Sequence, residues 1–313
     1  MAISLFGRSL LTLLDFSPEE IQYILKLSEK LKDESKKGKL KRRFEGKTLA
    51  MLFEKRSTRT RCAFETAFGE EGGHPVFLST SDIQLGGKES LEDTALVLGR
   101  MFSAIQFRGF KQETAEILAK YSNVPVYNGL TDMYHPTQAL ADILTMKENF
   151  GEVKGKTLCY VGDGRNNVAR SLMIICAKLG IHFTVIAPVE LKADDELFKK
   201  TSPLAQKSGA SITVTSDIKA VKNADAVYTD VWVSMGEESK KDERIKLLSS
   251  YQVNNKLMEM TGNKESIFLH CLPAVRGEEV TADVIDGEQS RAWDQAENRK
   301  HTIKAVMVST LIK

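Results

Sequence analysis

The sequence predicts an α/β protein: two doubly wound parallel-sheet domains joined by helices, with a C-terminal helix returning to the first domain. Short apolar runs of strand length alternate with helical patterns from end to end. The chain has 313 residues, more than one hydrophobic core usually organises. Gly151 and Gly155 separate a first series of runs from a second.

Ser17-Pro18-Glu19-Glu20 opens the first helix, with Ser17 as N-cap, Pro18 at the first helical position and Glu20 placed to close a capping box. The basic stretch from Lys36 to Arg43 is expected to be a solvated connection. Strands follow at Thr48 to Phe53, Val76 to Leu78, Ala104 to Phe107 and Val124 to Tyr127, separated by helical patterns such as Leu91 to Met101 and Glu113 to Tyr121. The helical run from His135 into Phe150 serves as the hinge element. Further strands fall at Thr157 to Val161, Phe183 to Ile186, Ser211 to Val214, Ala226 to Thr229 and Ile267 to Leu269. The expected domains are 1–148 and 149–296, and the helix over about 297–313, opened by Asn298-Arg299, crosses back to the first.

Composition excludes several classes. With 42% hydrophobic and 27% charged residues and a net charge of only +2, no global field is available to hold nucleic acid or an anionic membrane. Any anion site is therefore local and its substrate small. The apolar stretch from Leu10 is cut short by Asp15, which leaves neither a membrane span nor a signal peptide. Cys62, Cys159, Cys176 and Cys271 are scattered without paired spacing, against both a disulfide framework and a metal site. The chain reads as cytoplasmic.

The most informative segment is Ser57-Thr58-Arg59-Thr60-Arg61, which lies between the strand ending at Phe53 and the amphipathic stretch from Cys62 to Phe68. Free amides and the dipole of a helix start favour a phosphate there; the hydroxyls add neutral donors, and Arg59 can clamp two oxygens at once. A solvated basic run is the plain alternative, but hydroxyls alternating with arginine directly after a buried-type strand do not suit it. In the second half, Gly162-Asp163-Gly164-Arg165-Asn166-Asn167 follows a strand. It fails as a dinucleotide fingerprint, because Asn167 occupies the third glycine position and Ala187-Pro188 ends the next strand where a ribose-binding acid belongs. Asn166 and Asn167 at a helix start suit a carboxylate. His135-Pro136-Thr137-Gln138, Asp230 with the loop to Ser234-Met235-Gly236, and His270-Cys271-Leu272-Pro273 sit at strand ends or helix starts, the rim where open sheets bind ligands. A single cysteine more often packs than reacts, so Cys271 gains interest only from its company.

Together these segments resemble the aspartate/ornithine carbamoyltransferases, and the ornithine branch in particular, over nearly the whole chain. The family's carbamoyl phosphate signature is matched by Ser57 to Arg61, its histidine motif by His135 to Gln138, its ornithine loop by Asp230 to Gly236 and its cysteine motif by His270 to Pro273. The aspartate branch differs at the last two. Some members carry histidine where Gln84 stands here.

The resemblance implies transfer of a carbamoyl group from carbamoyl phosphate to the δ-amine of L-ornithine, giving L-citrulline and phosphate. Ser57, Thr58, Arg59, Thr60 and Arg108 would clamp the phosphate, with Gln84 from a neighbouring subunit. Arg108, His135, Thr60 and Arg299 would polarise the carbonyl, and Gln138 with the backbone carbonyls of Cys271 and Leu272 would hold the carbamoyl amino group. Asn167 would bind the ornithine carboxylate, and Asp230 with Ser234, beside Met235, its α-ammonium. The catalytic set is then Arg108, His135, Cys271 and Arg299. It also implies no metal or other cofactor, small-molecule substrates only, and a homo-oligomer that is a trimer or a multiple of trimers. A carbamoyltransferase for another amine and a non-catalytic carbamoyl phosphate-binding subunit are the alternatives.

Overall fold

The computed structural model describes residues 3–79, 89–233 and 237–313. The chain divides into two compact units, Met1–Leu144 with Glu297–Lys313, and Thr145–Ala296.

In unit 1 the first helix, α1 (Pro18–Lys36), starts on the expected capping box: Glu20 N–H donates to Ser17 Oγ at 3.2 Å and Ser17 N–H to the Glu20 carboxylate at 2.8 Å. β1 (Thr48–Phe53), α2 (Thr58–Glu70), β2 (His74–Ser79), α3 (Leu91–Met101), β3 (Ala104–Arg108), α4 (Gln112–Ser122) and β4 (Val126–Leu130) follow. The four strands form a parallel sheet in the order β2-β1-β3-β4, with Phe53 opposite Arg108. One face buries Ala50, Leu52, Ile105 and Phe107 against Ala95, Leu98, Ala115 and Leu118 of α3 and α4. On the other, Tyr127 stacks on Phe64 of α2 at 6.3 Å. The chain runs outward from β1 on one side and from β3 on the other, so their carboxyl ends flank a topological switch point, where open parallel sheets bind ligands.

α5 (Pro136–Phe150) carries the chain into unit 2, where β5 (Thr157–Val161), α6 (Asn167–Leu179), β6 (His182–Ile186), α7 (Asp195–Ser208), β7 (Ile212–Thr215), β8 (Ala226–Thr229), α8 (Lys241–Leu248), α9 (Asn255–Met260), β9 (Ile267–His270) and α10 (Ala282–Ile285) precede α11 (Ala292–Leu311). The parallel sheet has the order β7-β6-β5-β8-β9, with its switch point between β5 and β8. Cys159, Val161, Val227 and Phe268 anchor its core against Leu257, Val284 and Ile285. α6 is buried from Val168 to Leu179 and ends on Gly180 in the left-handed region (φ 77°), where a Cβ would meet Lys154 Cγ at 2.9 Å and Ser208 O at 3.0 Å. The part of α11 from Glu297 onward belongs to unit 1.

Asn298-Arg299 does not open the last helix, which begins at Ala292. Asn298 is fully buried inside the helix and accepts from Lys32 Nζ at 2.7 Å, a tertiary bond in place of a position at the helix start. The fourth strand begins at Val126 rather than Val124, because α4 closes on Asn123 in the left-handed region (φ 58°) and Pro125 has no N–H to give. The Lys36 to Arg43 stretch is not wholly solvated: Arg43 is ion-paired to Glu71 at 2.6 Å and to Glu34.

Candidate active site

The unit 1 cluster gathers at the β1/β3 switch point. Ser57 N-caps α2 by accepting from Thr60 N–H at 3.2 Å, which places Thr58, Arg59 and Thr60 in the first turn, where amides and dipole favour an anion. Arg108 is the last residue of β3, one position beyond the expected strand end. Its Nη1 donates to Thr60 Oγ1 at 3.1 Å, and Arg299 Nη2 donates to the same oxygen at 3.0 Å. All three side chains are buried. A hydroxyl has two acceptor positions and one hydrogen; with two guanidiniums donating to it, Thr60 is left to act as a donor.

His135 immediately precedes α5 and is buried, its Nδ1 3.4 Å from Thr137 Oγ1. Burial, followed by the Arg299, Arg108 and Arg59 charges, holds its imidazole well below the ordinary 6.5. It is therefore neutral near pH 7 and can donate from one ring nitrogen without carrying charge. Gln138, one turn into α5, gives its amide nitrogen to Asp142 Oδ1 at 2.8 Å. That bond sets the orientation of the amide and leaves Gln138 Oε1 a buried acceptor with no partner among the described residues.

The unit 2 cluster forms at the β5/β8 switch point. Asp230, directly after β8, is buried and accepts from Val231 N–H at 2.8 Å, Asn166 Nδ2 at 2.9 Å and Cys271 Sγ at 3.0 Å. Asn166 also caps α6 by accepting from Val168 N–H at 2.7 Å, so Asn167 becomes the first helical residue and Asn166 a brace for Asp230. Cys271 follows β9, and Leu272 sits in the left-handed region (φ 59°). Its N–H donates to His270 Nδ1 at 2.8 Å, which leaves the His270 hydrogen on Nε2, facing buried Glu279 Oε1 at 3.2 Å. Asp230, His270 and Cys271 offer ligand atoms within 4.8 Å of one another, yet both His270 nitrogens are taken up by these bonds, and the group is arranged as a hydrogen-bonded network.

Thus Ser57, Thr58, Arg59, Thr60, Arg108, His135, Gln138 and Arg299 belong to unit 1, and Asn167, Asp230, Cys271 and Leu272 to unit 2. Gln84, Ser234 and Met235 lie outside the described residues. Sequence reasoning missed Glu279 and Asp142, and it gave Asn166 to a substrate carboxylate rather than to Asp230 and the start of α6. Asp142 had a signal, its i+4 spacing from Gln138 on a helix; Glu279 had none.

These observations define a class: a protein of two parallel α/β units, each with a buried polar cluster at its topological switch point, one of hydroxyls and guanidiniums at a helix start and the other around a carboxylate. Residues 8–148 match the model of the aspartate/ornithine carbamoyltransferase carbamoyl-P binding domain, and residues 154–310 that of the Asp/Orn binding domain. The chain belongs to the aspartate/ornithine carbamoyltransferase family. Curated relatives include an ornithine carbamoyltransferase of Pseudothermotoga lettingae, 64% identical over all of both chains, and one of Caldanaerobacter subterraneus, 62% identical over the same span. Among solved structures, ornithine carbamoyltransferase from Pyrococcus furiosus matches with a TM-score of 0.96 and 48% identity over 99% of each chain.

Proposed function

We propose that this chain transfers the carbamoyl group of carbamoyl phosphate to the δ-amine of L-ornithine, giving L-citrulline and phosphate, in arginine metabolism. The observation that carries the reading is the Thr60 hydroxyl, held between the Arg108 and Arg299 guanidiniums beside a neutral His135.

Carbamoyl phosphate is a mixed anhydride, so transfer needs a clamp for the departing phosphate and donors where charge develops on the carbonyl oxygen. Ser57, Thr58, Arg59 and Thr60 at the start of α2, with Arg108, are the clamp. Thr60, Arg108, Arg299 and neutral His135 are the donors to the carbonyl oxygen. The lone acceptor Oε1 of Gln138 suits an N–H of the carbamoyl amino group, which the carbonyls of Cys271 and Leu272 would also receive. The amine lone pair attacks the carbonyl carbon, the bond from that carbon to the phosphate oxygen breaks, and the amine proton leaves with phosphate. Asp230 takes the α-ammonium of ornithine, assisted by Ser234 and Met235, and Asn167 takes its carboxylate. The δ-amine must be neutral to react, and with a pKa near that of lysine, ~10.4, only about one molecule in a thousand is so at neutral pH in water. Loss of water around it raises that fraction.

The reading extends to a homo-oligomer, a trimer or a multiple of trimers, in which Gln84 reaches the neighbouring subunit's phosphate site, and to a cytoplasmic enzyme. No helix among the described residues is long and apolar enough to cross a membrane. The test is a ureido-product assay with ornithine, aspartate, putrescine and N-acetylornithine side by side. Ornithine should be the preferred acceptor; turnover of another amine alone, or of none, would overturn the reading.

A further inference from the structure

Within unit 1, Arg108 ends β3 and His135 follows the turn after a different strand, β4. Beside their backbone bonds, the two loops are joined by a pair of side chains that neither substrate is assigned to. Thr131, in the turn between β4 and His135, is fully buried, and its hydroxyl donates to Gln112 Oε1 at 2.7 Å. Gln112, the first residue of α4, ends the short loop that follows Arg108, and its N–H donates to Asp132 Oδ1 at 2.9 Å. The glutamine thus grips two consecutive residues of the turn. Asn128, fully buried in β4, adds a third hand by donating Nδ2 to the same Gln112 oxygen at 3.1 Å.

The turn is closed on itself as well. Thr131 N–H donates to Tyr134 O at 3.0 Å and Tyr134 N–H to Thr131 Oγ1 at 3.3 Å, immediately before His135. The two loops also exchange backbone bonds, Asp132 N–H to Phe110 O at 2.9 Å and Gly109 N–H to Leu130 O at 3.0 Å. Among these bonds, the Thr131 hydroxyl acts on both levels: it receives the Tyr134 amide that shapes the turn and donates to the glutamine that seats it. We infer that Thr131 and Gln112 are positioning residues for the reaction, a buried clasp that holds the His135-bearing turn in register with the loop after Arg108. The inference rests on the reading of His135 as a donor to the carbamoyl oxygen. A displacement of the order of an ångström at such a donor costs up to ~100-fold in rate, whereas the clasp touches no substrate and its loss should leave ornithine KM unchanged.

The experiment is a double-mutant cycle on kcat with Thr131→Val, which keeps volume and removes the hydroxyl, His135→Asn, and the pair, with Thr131→Ser as the conservative control. Gln112→Met, which breaks the same bond from the other side, stands in if Thr131→Val does not fold. Thr131→Val should lower kcat by ~10-fold or more in the parent and by less than about twofold beside His135→Asn, with Thr131→Ser near the parent. Equal losses in both backgrounds, or a parental kcat for Thr131→Val and Gln112→Met, would overturn the clasp while leaving His135 in its role. A His135→Asn enzyme of full kcat would instead remove the reading of His135, and the clasp with it.

Discussion

Arg299 of α11 donates to the hydroxyl oxygen of Thr60 in the first turn of α2, 3.0 Å away in space and 239 residues along the chain. With Arg108 donating to the same oxygen at 3.1 Å, the Thr60 hydrogen is the part of that hydroxyl left to give away.

Thr60→Val keeps the shape of the side chain but leaves two buried guanidinium donors facing a methyl group. Loss of hydrogen bonds to charged groups, about 1.5–3 kcal/mol each, should appear as a kcat reduced by ~10- to 100-fold, and thermal stability should fall as well. Thr60→Ser should retain most of the rate. Steady-state kinetics of the two variants check this, and equal activity in both would show that the hydroxyl takes no part.

Two buried histidines make stability depend on pH in a defined direction. Burial and neighbouring guanidiniums depress His135, and burial depresses His301 to about 4. The unfolded chain takes up these protons near the ordinary 6.5, whereas the folded protein takes them up only at lower pH. Stability is therefore unaffected by these groups above pH 6.5 and is lost as the pH falls from 6.5 towards the folded values. Urea unfolding at pH 7.5 and 5 should show the parent losing stability, with His135→Asn and His301→Asn losing less. Curves for parent and variants that run parallel between the two pH values would contradict this.

If Gln84 serves a neighbouring subunit, two inactive variants should rescue each other. Gln84→Glu sets a carboxylate against the phosphate, and Arg59→Ala removes the clamp, so each alone is inactive. In cyclic trimers reassembled from an equal mixture, about three in four are mixed and each of those carries one interface with both residues intact, so about one quarter of all sites should recover. Citrulline formation after dissociation and reassembly measures this. No recovery in verified mixed trimers would place Gln84 in its own subunit's site or outside the site.

Much of this was readable from the chain because local patterns carry it. The alternation of apolar runs with helical periods specified two parallel α/β units, and the Ser57 to Arg61 segment pointed to an anion site by its place between a strand and a helix. What was hidden depends on contacts between distant residues. Asn298 looked like the opening of the last helix, yet it lies inside it with Lys32 as its partner. Asn166 looked like a carboxylate ligand, yet it is spent on capping α6 and bracing Asp230. Glu279 and Thr131 carry no periodic or motif signal, since their importance lies in what they touch, His270 in one case and Gln112 in the other.

In the proposed function, electrophile and amine are recognised by separate clusters, the phosphate group from the start of α2 and the amino acid through Asp230. The direct measurement is a calorimetric titration of carbamoyl phosphate into Asp230→Asn without amine. The carboxylate, held by Val231, Asn166 and Cys271, would lose its charge while the unit 1 cluster stays intact. Carbamoyl phosphate affinity within about twofold of the parent, in a variant that no longer turns over ornithine, is the expected result. An affinity reduced as severely as ornithine turnover would show Asp230 to be a structural support for the whole site and would contradict the division.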